Sequence, residues 1–290
     1  VNPGGRTPLH LAAQGRVECM RKLFACQVAG DINAADSMGM TALHIAAKGS
    51  FVNEIVELCD QAANVEAREL GMTALHVAAH DGQIEAERVL IERGADINAR
   101  TPQRRTPLHL ACARKDLQVS VSTICNAPNA DLDAQDAQGL TALHWACLVG
   151  HLQAVRELLA ANADTMLLCT RGGTALHWAC KSASQNRLAI VNALLQVPVV
   201  SIRSQSNDGL AAKLKVEADH QMGGILSCVD STGRTALHWA CNDWNQQVVT
   251  HLLRVGVIVD ARDQDGRTPL HLAAKGPAKA TPGLAFEGAE

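Results

Sequence analysis

Residues 104–112 read Arg104-Arg105-Thr106-Pro107-Leu108-His109-Leu110-Ala111-Cys112, and residues 7–13 read Thr7-Pro8-Leu9-His10-Leu11-Ala12-Ala13. Their shared core, Thr-(Pro/Ala)-Leu-His, recurs with Thr at 7, 41, 73, 106, 141, 174, 235 and 268, in steps of 34, 32, 33, 35, 33, 61 and 33 residues. A period of this size marks an array of small stacked units. The 61-residue step is long enough to hide a degraded copy: Asn207-Asp208-Gly209-Leu210-Ala211 aligns with Ala137-Gln138-Gly139-Leu140-Thr141 and divides the step into 37 and 24. The second part is short of a full unit, so one helix there is expected to be stunted or missing.

Within each unit the local chemistry repeats. A turn carries Asp and Gly, as in Asp136-Ala137-Gln138-Gly139. Thr stands where a helix N-cap belongs, and Pro8, Pro107 and Pro269 occupy the next position, where a missing N–H costs nothing. A short apolar helix follows, such as Leu143 to Leu148, ended by Gly150. A second helix with apolar residues at helical spacing runs from Leu152 to Leu159. A Gly/Asn-Ala-Asp loop closes the unit, as at Gly94-Ala95-Asp96. Two short helices cannot bury their apolar faces alone, so neighbours must stack into a solenoid.

Composition agrees. The 290 residues are 47% hydrophobic, 19% charged and only 2% aromatic, with no Tyr. The core must be built of Ala, Leu, Val, Ile and Cys. A net charge of −3 makes nucleic acid and anionic lipid poor partners. No stretch approaches the roughly 18 apolar residues of a membrane span. Residues 1–10 lack the charged and apolar regions of a signal peptide. Ten cysteines suggest a disulfide framework, but Cys112, Cys147, Cys180 and Cys241 share a slot filled elsewhere by Ala13, Ala47, Ala79 and Ala274. That is a small buried apolar slot, and packed helices lie too far apart for disulfides between equivalent positions. Unpaired thiols point to an intracellular compartment, cytoplasmic or nuclear.

The segments Thr7 to Ala13, Thr106 to Cys112 and Arg93-Gly94-Ala95-Asp96-Ile97-Asn98-Ala99 closely resemble the ankyrin repeat, with its T-P-L-H-x-A and G-A-D-(V/I)-N signatures. The resemblance runs from about Gly5 to Gly276 and is weak only near 200–230. It implies an all-α solenoid of helix pairs with β-turn fingers, binding other proteins through a concave face. Units are expected to start near 5, 39, 71, 104, 139, 172, 209 (the degenerate copy), 233 and 266, with 277–290 a disordered tail. Neither end carries a polar capping unit, so flanking repeats or domains are expected in the parent protein.

Chemistry-bearing residues favour binding over catalysis. Eight of the twelve histidines fill the Thr-x-Leu-His slot, and in four units a Cys follows three residues later, as in His144 and Cys147. Such a pair could begin a zinc site, but four ligands must converge and these are spread along the array. The plainer reading is a structural histidine bonded to its Thr turn and the next loop. No nucleophile elbow, zinc-protease helix or phosphate loop is present. No enzyme activity, metal or cofactor is expected.

Trp145, Trp178 and Trp239 fill one slot, on the side of the first helix opposite Leu143 by the ~100° helical step. They either pack between adjacent first helices or form a partly exposed row on the concave wall, extended by Leu148, Val149, Asn242, Asp243 and Trp244. The C-terminal half is therefore the expected protein-binding region. Residues 201–229 read either as a decayed loop or, over Ala211 to Ala218, as a protruding helix, and the Pro102-Gln103-Arg104-Arg105 tip as a solvated turn or a contact for an acidic ligand. Family resemblance adds a possible asparaginyl hydroxylation at Asn98, with Asn33 in the equivalent loop. The expected function is a non-catalytic protein-interaction scaffold. The alternatives are the regulatory or substrate-recruiting region of a larger enzyme (a protein acyltransferase or kinase) and a regulator that masks a transcription factor.

Overall fold

The computed structural model describes residues 4–114, 121–196 and 224–275. The degenerate copy placed at 209, the helix considered at 211–218 and the tail at 277–290 lie outside the described residues. Among those residues the chain is helical: α1 (Pro8–Ala12), α2 (Val17–Ala25), α3 (Ala42–Lys48), α4 (Val52–Asp60), α5 (Ala74–Asp81), α6 (Ile84–Glu92), α7 (Pro107–Cys112), α8 (Ser122–Cys125), α9 (Ala142–Val149), α10 (Leu152–Ala160), α11 (Ala175–Lys181), α12 (Arg187–Leu195), α13 (Gly224–Ser227), α14 (Ala236–Asn242), α15 (Gln246–Val255) and α16 (Pro269–Ala274). First helices pack on first helices along α1, α3, α5, α7, α9, α11, α14 and α16, and second helices pack on second helices along α2, α4, α6, α8, α10, α12 and α15.

Each first helix starts where the Thr motif requires. All eight Thr residues are extended N-caps, and each pairs with the His three residues on in a capping box. The Thr backbone N–H donates to the His Nδ1 at 3.1–3.3 Å in every unit. A backbone amide can only donate, so Nδ1 is the unprotonated nitrogen. The proton sits on Nε2, which in seven units donates at 2.9–3.2 Å to a carbonyl of the next finger. One imidazole thus caps its own helix and ties its unit to the next. Burial lowers the basicity of five of these rings: it holds His76 and His144 down at about 4, and His44, His109 and His177 also lie below 6.5.

The core runs between the two helix layers. Ala46, Ala47, Ala78, Ala79, Ala146 and Cys147 are fully buried, and such small side chains let the layers approach closely. All ten cysteines are free thiols. Burial pushes Cys112, Cys147 and Cys180 up, the last to about 12, which leaves them unreactive at neutral pH.

Fingers join tip to tip. Backbone N–H groups of Ser37, Ala137, Thr170, Ser231 and Gln264 donate to carbonyls of the preceding finger at Gly4, Gln103, Gln138, Arg171 and Thr232. Pro102 stands at the donating position of its own finger and has no N–H to give.

These contacts decide the 61-residue step. His177 donates to the Arg234 carbonyl 57 residues ahead, where the other units reach 28 to 31. A Cβ on Gly172 would lie 2.6 Å from the Ser231 nitrogen, α12 packs on α15, and the Trp178 and Trp239 rings touch at 5.8 Å. The 174–195 pair therefore lies directly against the 235–255 pair. Trp178 and Trp239 are thus neighbours in the row, and the degenerate copy placed at 209 lies outside the described residues.

Candidate protein-interaction site

The structure divides the Trp row. Trp145 and Trp178 are 6% and 4% exposed, while Trp239 is half-buried. The partly exposed row is thus corrected at its first two members, which pack between neighbouring units. The reason lies in the fingers. In finger 136–140, Asp136 Oδ1 accepts the backbone N–H groups of Gln138 and Leu140, and Oδ2 accepts the Trp145 indole N–H at 3.0 Å. Arg105, from the preceding finger, lies over the Trp145 ring at 4.5 Å. Arg105 is therefore engaged within the array, packed on Trp145 and 3.9 Å from Asp136, rather than standing in a solvated turn.

Asp230 repeats the pattern, taking the Trp239 indole N–H at 2.8 Å. Burial alone would raise its carboxyl, but hydrogen bonds from Thr232, Arg234 and Trp239 bring it below the usual range. Trp178 breaks the pattern. Cys169 occupies its finger position, and the buried indole N–H of Trp178 has no hydrogen-bond partner among the described residues. The sequence signal for this device was an Asp nine residues before a Trp, and it was missed.

Around Trp239 the surface opens. A cleft of about 250 Å³ is lined by Arg171, Lys181, Asp230, Arg234, Trp239 and Asp243, among others. Asn242, half-buried, also lines it and donates to Asp243, whose carboxyl is pushed up by burial and pulled down by nearby Arg187 and Lys181. Trp244, the next residue, is 54% exposed at φ 53, the place where Gly82 and Gly150 take the same left-handed turn. Leu148 and Val149 are half-buried at the end of α9. The cations of the cleft were also missed, because they stand at finger and helix-end positions that vary from unit to unit. Asn98 is half-buried in its loop: its amide nitrogen donates to the Asn129 carbonyl at 2.7 Å, and its oxygen accepts from the Asp131 N–H at 2.9 Å. Asn33 makes the matching bond to the Asn64 N–H.

Among the described residues no three His, Cys, Asp or Glu side chains gather to hold a metal ion. No helix there is long and apolar enough to cross a membrane.

The family model described as "Ankyrin repeats (3 copies)" matches over residues 1–69, 28–101, 49–136, 108–208 and 202–290. A putative ankyrin repeat protein of Acanthamoeba polyphaga mimivirus is 34% identical over 77 residues, covering 27% of this chain and 10% of that protein. Protein glp-1 of Caenorhabditis elegans is 51% identical over 43 residues, covering 15% of this chain and 3% of its own length. The chain thus corresponds to a small part of either relative. Stacked helix pairs, capped by Thr and His and matched by the family model along their length, are the mark of one fold, and the chain belongs to the ankyrin repeat family.

Proposed function

We propose that the chain is a non-catalytic scaffold that binds partner proteins through its first-helix face and fingers, with the units around Trp239 and Trp244 as the main contact. Ankyrin repeats are generally protein–protein interaction modules, and this reading refines that role for one region of one chain. Trp244 carries it. A left-handed backbone costs a bulky residue about 1 kcal/mol or more, and the exposed ring is not buried to offset that cost. A partner that covers the ring would do so. Tryptophan is also the residue type most enriched at interface hot spots.

Affinity capture on the immobilised chain, followed by titration of the recovered partner, tests the proposal. Trp244→Ala should weaken binding by about 2 kcal/mol and leave the helical signal intact. Equal binding by the variant removes this region from the interface. Asn98 hydroxylation is a further proposal. Because both amide atoms bridge to the next loop, the loop must open before an oxygenase reaches the side chain, and intact-mass analysis of native protein with no added oxygen at Asn98 rules it out.

A further inference from the structure

The cleft beside Trp239 has a specific origin. Arg105 of one finger closes over Trp145 of the next unit. In the register of the stack, the residue that would close over Trp239 in the same way is Gly173. It has no side chain to lay over that ring, and Trp239 stands half-buried at a cleft wall.

The lining carries three cations, Arg171, Lys181 and Arg234, against two carboxylates, Asp230 and Asp243, the latter within the field of Lys181, so the cleft is net positive although the chain as a whole carries −3. Asp230 is saturated by its own finger and by Trp239. Arg234 is shared with Asp263 at 3.3 Å. Arg171 is exposed and Lys181 half-buried, and among the described residues neither forms an ion pair. The Lys181 ammonium is held over the Trp178 and Trp239 rings at 5.5 and 5.6 Å, which places a cation at an aromatic wall.

We infer that this cleft seats an Asp or Glu side chain from an extended segment of a partner protein, its carboxylate on Lys181 and Arg171 and its apolar neighbour on the open face of Trp239. The inference rests on the scaffold reading above and narrows it to one partner chemistry. The Ser231 hydroxyl at the same cleft supplies a further donor for a carboxylate, whereas that of Thr232 is given to Asp230.

Selection of a phage-displayed library of random peptides, each about a dozen residues, on the wild-type chain tests it directly. Selected peptides should carry Asp or Glu beside an apolar residue. Their affinity, read by calorimetry, should fall about tenfold for Lys181→Gln and for Arg171→Gln, and should weaken as salt is raised. Gly173→Leu should block the cleft without touching either cation. A Cβ at 173 meets its nearest neighbours at 3.6–3.7 Å, an ordinary contact, and Leu140 already stands at the equivalent place in the preceding unit.

Peptides that lack an acid, or that ignore all three variants, overturn the cleft assignment and leave the scaffold reading standing. Competition by inorganic phosphate as strong as by peptide reduces the cleft to a plain anion site and also overturns it. If neither a peptide nor a protein partner is selected by the folded chain, the scaffold reading fails and the inference fails with it.

Discussion

Acid should loosen this array at a pH above the ordinary carboxylate range, because five buried histidines hold it together in their neutral form. His76 and His144 take up protons at about 4 in the folded chain, against an ordinary value of 6.5. A depressed histidine contributes stability that is fully present above 6.5 and lost as the pH falls toward 4. Linkage makes the loss about 2 kcal/mol for each of these two rings between about pH 7 and about pH 5. His44, His109 and His177 act in the same direction. Glu87 opposes them. It is buried in α6, and burial pushes its carboxyl up to about 7, so it gains stability as the pH falls, by about 2 kcal/mol over the same interval. It therefore cancels one histidine. Urea unfolding followed by circular dichroism at about pH 7, 6 and 5 should show a falling midpoint, and the fall should be larger in Glu87→Gln, where the opposing group is gone. An unchanged midpoint in that variant, or folded-state resonances of His76 and His144 titrating near 6.5, would refute the reasoning.

Other outcomes follow from single positions. Cys169→Asp should stabilise the chain by about 1 kcal/mol, since it supplies the acceptor that Trp178 lacks and that Asp136 and Asp230 provide elsewhere; a thermal midpoint at or below wild type counts against it. Asp136→Ala should cost about 3 kcal/mol in urea, because two backbone amides and the Trp145 indole lose their acceptor together. Trp244→Gly should raise stability by about 1 kcal/mol while weakening partner binding. A loss of stability in that variant would show that the exposed ring packs usefully in the free chain.

Features that depend on one unit alone were legible in the chain. The Thr caps, the Pro at the first helical position, the alternation of Ala and Cys in a buried slot and the structural role of the histidines all follow from groups within a few residues of one another, or from a neighbour at a constant offset. The candidate site was legible only in outline. Trp239, Asn242, Asp243 and Trp244 were marked as a group, and the cleft lies beside them, but Arg171, Lys181 and Gly173 break no local rule and repeat in no pattern. Their meaning comes from the neighbouring unit.

By itself the sequence determined that this protein is a row of two-helix units, because an amphipathic period of about 33 residues admits no other way to bury its apolar faces. Only the tertiary structure decided which units touch. A repeat pattern counts residues along the chain, whereas packing joins whatever surfaces fit, and here residues 174–195 rest on 235–255 across the long step. That same stacking decided which Trp is sealed and which is open, since an indole's exposure depends on what the preceding unit lays over it: an arginine at 105, and nothing beyond the backbone at 173.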